Sequence, residues 1–162
     1  IQSYKTKVLD TRKTTPLMRF LEKWAVRIGG GYNHRFGLYD MVLIKDNHVD
    51  YSGSITNSLL QVQQYLLTNN LNLKVEIETR DLDEVKEVLK LDIANRIMLD
   101  NFTPDETKIA LEEIDGRIET ESSGGITLDT IESYAKTGVD FISVGALTHS
   151  VKSLDLSLKA IK

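Results

Sequence analysis

Three charged residues each close a short apolar run: Lys45 after Met41-Val42-Leu43-Ile44, Glu78 after Val75-Glu76-Ile77, and Asp100 after Ile97-Met98-Leu99. If those runs are strands ending at one rim, a cation and two carboxylates meet there, able to hold an anion and to face a developing positive charge. Glu76 and Glu78 alternate with Val75 and Ile77, which sends both carboxylates to one face of an otherwise apolar strand. Acids on such a face are costly unless they are paired or touch a ligand. Asp10-Thr11-Arg12-Lys13-Thr14-Thr15-Pro16 sets two adjacent cations among three hydroxyls, with an Arg fork and a Lys point charge suited to carboxylate or phosphate. The same stretch also reads as a solvated turn in which Thr15 caps a helix beginning at Pro16. Gly29-Gly30-Gly31-Tyr32-Asn33-His34-Arg35-Phe36-Gly37 delivers a His34–Arg35 pair from a flexible backbone, without the glycine spacing of a dinucleotide fingerprint. Ser122-Ser123-Gly124-Gly125 and Gly145-Ala146 are small-residue turns whose backbone N–H groups suit a phosphate, although each alone is also an ordinary turn.

The elements that must position these groups alternate. Strand-like runs recur at residues 7–9, 41–44, 73–77, 96–99, 117–120 and 139–144. Between them Leu82, Val85, Val88 and Leu89 step at helical spacing, Thr103-Pro104 opens a helix through Ile109, Ala110, Leu111 and Ile114, and another is expected from Thr127 to near Gly138. A longer helix fits around Ile55 to Leu67. Lys45, Glu78, Asp100, Ser122 and Gly145 follow one another at steps of 33, 22, 22 and 23 residues, a regular βα unit. Such alternation requires parallel crossovers, in an open doubly wound sheet or in a barrel. Polar residues at several strand ends, rather than at one switch point, favour an α/β fold of the incomplete parallel β/α barrel kind with about six strands.

Composition narrows the class. The 162 residues suit one domain, expected over 1–162, with 41% hydrophobic and 27% charged residues, as in ordinary globular proteins. Cysteine is absent, which removes disulfides, thiolate metal sites and cysteine nucleophiles. No apolar run approaches the roughly 20 residues of a membrane span, and Ile1-Gln2-Ser3-Tyr4-Lys5 is not a signal peptide, so no membrane partner and a cytoplasmic location are expected. The first residue is not Met, which suggests a piece of a longer polypeptide. Net charge is −4, yet through Lys45 there are nine Lys/Arg against three Asp/Glu, a basic segment in an acidic chain that marks an anion site. The cations form no unbroken run with interleaved aromatics, so nucleic acid is not an expected partner.

Taken together, Leu9-Asp10-Thr11-Arg12-Lys13-Thr14-Thr15-Pro16, Gly29 to Arg35, Leu43-Ile44-Lys45-Asp46-Asn47-His48, Val75-Glu76-Ile77-Glu78, Met98-Leu99-Asp100-Asn101, Ser123-Gly124-Gly125-Ile126 and Ser143-Val144-Gly145-Ala146-Leu147-Thr148-His149 resemble the quinolinate phosphoribosyltransferase family over nearly the whole chain. The resemblance implies a pentosyltransferase of NAD biosynthesis that converts quinolinate and phosphoribosyl pyrophosphate, with magnesium, into nicotinate mononucleotide, pyrophosphate and CO2. It implies that Thr11, Arg12, Lys13, His34, Arg35 and Lys45 line the pocket for the dicarboxylate. Glu78 and Asp100 would face the ribose and, with Lys45, carry the chemistry. Ser122, Ser123, Gly124, Gly125, Ser143, Val144 and Gly145 would take the 5′-phosphate. Magnesium would be carried mostly by the pyrophosphate, with no dedicated protein ligand expected. A homodimer or higher homo-oligomer is implied, with a small N-terminal α/β domain, absent from this chain, that lends an arginine to the partner's site. Leu17 stands where the family usually has glycine, and Tyr32 where histidine is common. Outside this resemblance, a non-catalytic anion-binding domain remains open, as does a phosphate-binding barrel using Lys45 as Schiff-base amine or Glu78 as general base.

Overall fold

A computed structural model describes Ile1 and residues 3–161; Gln2 and Lys162, at the ends of the expected domain, lie outside the described residues. Six strands alternate with seven helices: β1 (Lys7–Leu9), α1 (Arg19–Ile28), β2 (Val42–Ile44), α2 (Asp46–Ser52), α3 (Ile55–Thr68), β3 (Val75–Thr79), α4 (Leu82–Val88), β4 (Arg96–Asp100), α5 (Pro104–Ile114), β5 (Glu119–Ser123), α6 (Ile131–Ala135), β6 (Phe141–Ser143) and α7 (Ala146–His149). The strands form one parallel sheet in the order β1-β6-β5-β4-β3-β2. The barrel is therefore open between β1 and β2, as expected for an incomplete one. Tyr32 forms an isolated parallel bridge with Leu9 on the free side of β1, so the loop from Tyr32 to Met41 spans the gap between the two edges.

Local chemistry fixes the helix ends. Thr103 and Glu106 form a reciprocal capping box at α5 with Pro104 just inside, and Asp115 stops that helix in the left-handed region. Ser54 accepts from the Asn57 N–H at α3, and Asp81 from Asp83 and Glu84 at α4. Several expected boundaries differ, the third strand among them, which runs Val75–Thr79 rather than 73–77. α1 begins at Arg19, not Pro16, because Leu17 takes φ = 65°, a left-handed conformation that interrupts the helix. The helix expected from Thr127 begins at Ile131, after a turn in which the Thr127 N–H donates to Thr130 Oγ1. The fifth strand also lies later than residues 117–120, because Arg117 is spent capping α5 through Ile114 O and Glu113 O.

The apolar core lies outside the sheet, not within the barrel. Ile44, Val75, Ile77, Ile97 and Leu99 alternate toward the helices and pack with Leu59, Val85, Val88, Ala110 and Ile114. A second cluster joins Ile126, Ala135, Val139, Ile142 and Val144 behind β6. The opposite face carries Glu76 and Glu78 of β3, Arg96, Met98 and Asp100 of β4, Glu119, Glu121 and Ser123 of β5, and Phe141 and Ser143 of β6, set side by side by the strand register. A parallel strand buried on both sides is normally a continuous apolar run. Here the inner side is charged instead, and that departure marks the site.

Candidate active site

The cationic loops are held by α1. Asp10, fully buried just beyond β1, accepts hydrogen bonds from Lys23 Nζ, Asn33 Nδ2 and, at 2.9 Å, the His34 N–H. Lys23, itself 2% exposed, also donates to His34 O at 3.0 Å. One turn earlier on the same helix, Arg19 donates to Thr14 Oγ1, Arg12 O and Phe36 O, at 3.2 to 3.3 Å. Lys23 and Arg19, four residues apart on one helical face, thus brace the loop that carries Arg12 and Lys13 and the loop that carries His34 and Arg35. On the far side Thr148 Oγ1 donates to Lys13 O at 2.7 Å, tying the first loop to α7.

These braces set the pocket. Arg35 donates through Nη1 to Met41 O at 3.0 Å, and Arg12 and Arg35 are half-buried neighbours. Burial and then the Arg12 charge lower the Arg35 pKa, with Glu76, Asp40 and Glu78 opposing. Two guanidiniums held close, neither in a direct ion pair with a carboxylate among the described residues, form a site that gains by accepting an anion. At the rim Lys45 Nζ lies 2.7 Å from Glu78 Oε1, and Asp100 stands beside them with Asn101 donating to it at 2.8 Å. Burial and the neighbouring Glu78 raise the Asp100 pKa, against the pull of Lys45.

Below the rim lies a buried charged layer. His34 Nδ1 accepts the Arg35 N–H at 2.8 Å, so the ring proton sits on Nε2, which approaches Glu76 Oε2 at 2.8 Å and Glu121 Oε2 at 3.6 Å. Among the described residues His34 Nε2 completes no hydrogen bond to either acid, while Glu76 and Glu121 share one with each other. Arg96 Nη1 is 3.1 Å from Glu121 Oε2 and 3.8 Å from Glu76 Oε1. Burial lowers the His34 pKa, although Glu121 opposes it. Burial, reinforced by Glu76, pushes Glu121 up to about 8, so at neutral pH it is mainly the protonated acid. His34, Glu76 and Glu121 present ligand atoms within 4.8 Å of one another, as a metal site would, but the Arg96 guanidinium stands where a cation would neutralise them.

The expected residues gather unevenly. Arg12, Lys13, His34, Arg35, Lys45, Glu78 and Asp100 line or underlie one mouth, while the Thr11 hydroxyl is turned to the Lys13 N–H in its own loop. On β5 Ser123 shares the inner face with Asp100, its register partner. Gly124 and Gly125 follow at φ 97° and 60°, and a Cβ on Gly124 would strike Asn101 Oδ1 at 2.1 Å. On β6 Ser143 lies on the inner face, and a Cβ on Gly145 would come within 3.9 Å of Lys13 Cδ. Ser122 and Val144 are different: Ser122 alternates to the helix side beside Leu99 and Ile142, fully buried, while Val144 packs in the second apolar cluster. Neither side chain reaches the mouth. Sequence reading did not find Glu121, Arg96, Lys23 or Arg19. The available signal was Glu119-Thr120-Glu121, which repeats the alternation of Glu76 and Glu78 in a strand that should be apolar.

Residues 1–159 match the family model described as quinolinate phosphoribosyl transferase, C-terminal domain. The chain is 53% identical over 166 aligned residues to a chloroplastic nicotinate-nucleotide pyrophosphorylase [carboxylating] of Arabidopsis thaliana, covering 94% of this chain and 48% of that protein. It is 49% identical to a probable nicotinate-nucleotide pyrophosphorylase [carboxylating] of Bacillus subtilis, covering 94% of this chain and 51% of that one. The solved nicotinate-nucleotide pyrophosphorylase of Francisella tularensis superposes with a TM-score of 0.89 at 45% identity, over 96% of this chain and 54% of that chain. This chain thus spans about half the length of the relatives it matches. With the parallel α/β barrel, the inner charged face and the paired cationic loops already in place, these matches show that the chain belongs to the quinolinate phosphoribosyl transferase family, as its C-terminal domain.

Proposed function

We propose that this chain is the catalytic barrel of an enzyme that transfers the phosphoribosyl group of phosphoribosyl pyrophosphate to quinolinate with loss of CO2, giving nicotinate mononucleotide and pyrophosphate for NAD biosynthesis. The observation that carries the proposal is the juxtaposition at one rim of a cationic pocket, Arg12, Arg35 and Lys45, with the carboxylates Glu78 and Asp100. The reaction needs both. Quinolinate brings two carboxylates, which the guanidiniums and the ammonium take up. As the pyridine nitrogen bonds to the anomeric carbon and pyrophosphate leaves, the ribose carries positive charge, which Glu78 and Asp100 face. The ring carboxylate next to the nitrogen then departs as CO2 and a proton takes its place. The turns at Ser123-Gly124-Gly125 and Ser143 to Gly145 hold the 5′-phosphate, and Lys13, passing beside Gly145, adds a charge to it.

Magnesium, when bound, would be carried mostly by the pyrophosphate and would neutralise its charge as it leaves. The open carboxylate of Asp100 fits a hard, oxygen-seeking cation, whereas the layer occupied by Arg96 does not. A Schiff-base role for Lys45 is disfavoured: its ammonium is paired with Glu78 instead of lying in an apolar pocket. The remaining length of the enzyme carries the small N-terminal α/β domain and, in a homodimer, an arginine for the partner's site. Among the described residues no helix is long and apolar enough to cross a membrane. A cytoplasmic setting belongs to the same proposal; the tobacco tree relative, Nicotiana glauca, is named mitochondrial and the Arabidopsis one chloroplastic.

The test is product formation by the complete enzyme from quinolinate, with nicotinate as the single-carboxylate control. Nicotinate mononucleotide with equimolar CO2 from quinolinate alone supports the assignment, and equal use of nicotinate sinks it. Arg35→Ala and Lys45→Ala should each weaken quinolinate binding by about 1.5–3 kcal/mol, because each removes a charge-assisted partner of a carboxylate. Unchanged affinity in both variants would refute the pocket.

A further inference from the structure

Resting on that reading of the mouth, we propose that Glu121 is a positioning residue for the dicarboxylate pocket. With Glu76 and Arg96 it fixes the ring of His34, and through the ring the Arg35 peptide, without touching substrate. The chain of contacts is continuous: Arg96 Nη1 to Glu121 Oε2 at 3.1 Å, Glu121 Oε2 to His34 Nε2 at 3.6 Å, and Arg35 N–H to His34 Nδ1 at 2.8 Å. Glu121 and Glu76 are fully buried, and His34 is 8% exposed.

For stability alone the layer is a poor solution. Three ionisable side chains, His34, Glu76 and Glu121, are buried around the single guanidinium of Arg96, with Glu121 hydrogen-bonded to Glu76 and Ser143, and apolar residues of similar volume would serve folding as well or better. What the layer supplies is orientation. Its members come from three separate strands and the gap-spanning loop, and together they allow the imidazole one placement.

The groups facing Glu121 are Glu76 from β3, Arg96 from β4 and His34 from the loop; β6 contributes the neutral Ser143 and Phe141. Only one cation of full charge, Arg96, serves two acids. Burial raises the pKa of Glu76 as well as that of Glu121, so the arrangement holds while the hydrogen-bonded pair keeps a proton. Losing that proton places a second anion beneath the pocket that must accept two carboxylates, lowering its positive potential and drawing Arg96 and His34 inward.

The experiment compares the complete wild-type enzyme with Glu121→Gln, which is isosteric and permanently neutral, over pH 6.5–9.5, reading kcat and KM for each substrate. The expected result is an alkaline fall in kcat/KM for quinolinate in the wild type that moves up by about one pH unit or more in Glu121→Gln, with the phosphoribosyl pyrophosphate profile unmoved. Superimposable quinolinate profiles, or equal shifts for both substrates, overturn the proposal. Glu121→Leu, which keeps bulk but no hydrogen bond, should raise the quinolinate KM about tenfold at pH 7, a loss the size of one or two hydrogen bonds. An equal rise in both Michaelis constants would mark Glu121 as merely structural. A wild-type enzyme that does not use quinolinate at all would instead refute the assigned function.

Discussion

Replacing Lys23 with methionine tests whether α1 is the brace on which the cationic pocket depends. Lys23 is 2% exposed and Asp10 0%, and the ammonium is the only full positive charge among the three donors to that carboxylate, the others being Asn33 Nδ2 and the His34 N–H. Methionine preserves the length and most of the volume of the side chain, so little packing is lost. The carboxylate, however, is left buried with two neutral donors. Removing one partner of a buried pair costs about 3–5 kcal/mol, most of it the penalty of the stranded charge. For a chain of this size that lowers the thermal midpoint by roughly 6–20 °C. The discriminating step is the second substitution: Asp10→Asn in the Lys23→Met background removes the stranded charge, so the double variant should recover roughly 2–3 kcal/mol relative to the sum of the single costs. Urea unfolding followed by Trp24 fluorescence and far-ultraviolet circular dichroism measures all four proteins on one two-state scale. Two results would refute the reasoning: a Lys23→Met cost under about 1 kcal/mol, or a double variant whose cost equals the sum of the single ones.

Three further outcomes are expected. Leu17→Gly should stabilise the protein by about 0.5–1 kcal/mol by removing the left-handed strain of a β-carbon at φ = 65°, since the fully exposed side chain gives up no burial; Leu17→Ala, which keeps the Cβ, should change little. On the proposed reaction Glu78→Gln in the complete enzyme should reduce kcat more than it raises either KM, because the charge would matter most when the ribose becomes cationic; a change confined to KM would leave it a ribose-binding group only. The acid raised to about 8 at Glu121 gives a signed stability profile. The unfolded chain releases this proton near its ordinary value of 4.5 while the folded chain keeps it, so stability falls as pH rises from about 4.5 and levels off above about 8. Urea midpoints at pH 5.5 and 8 should therefore differ in the wild type and differ less in Glu121→Gln, where the raised Glu76 and Asp100 remain; an unchanged difference would show that Glu121 is ionised throughout.

The strands and the rim were legible because both depend on local pattern. Lys45, Glu78 and Asp100 each end an apolar run, and the regular alternation of those runs with helical patterns marks them as strands. His34 and Arg35 were legible as a pair because the glycines around them announce a loop. Lys23 and Arg19 were not, since a basic residue on an amphipathic helix reads as solvated until its partner is known, and Asp10 lies 13 residues before Lys23. Glu121 was hidden by a boundary error. With the strand placed at 117–120, the alternation that puts Glu119 and Glu121 inward falls half outside it, and only the register with β4 restores it. Ser122 shows the converse case: a small polar residue at a strand end looked like a phosphate ligand, and a one-residue step turned it to the helix side.

The pairing of β1 with β6 constrains how the chain reaches this structure. Lys7 lies beside Phe141 and Leu9 beside Ser143, residues 134 apart in sequence, while every other strand pair joins neighbours in chain order. On the ribosome β1 emerges before the other five strands, and apart from its bridge to Tyr32 it has no strand to pair with until β6 follows, a delay on the order of ten seconds at ordinary elongation rates. Closing so long a loop is the entropically expensive contact and belongs late in folding, after the β2-to-β6 part of the sheet has grown strand by strand from local crossovers. Docking of β1 brings in the loop bearing Arg12 and Lys13 and the Asp10 anchor of His34, so on the proposed function the anion pocket is completed only in this late folding step.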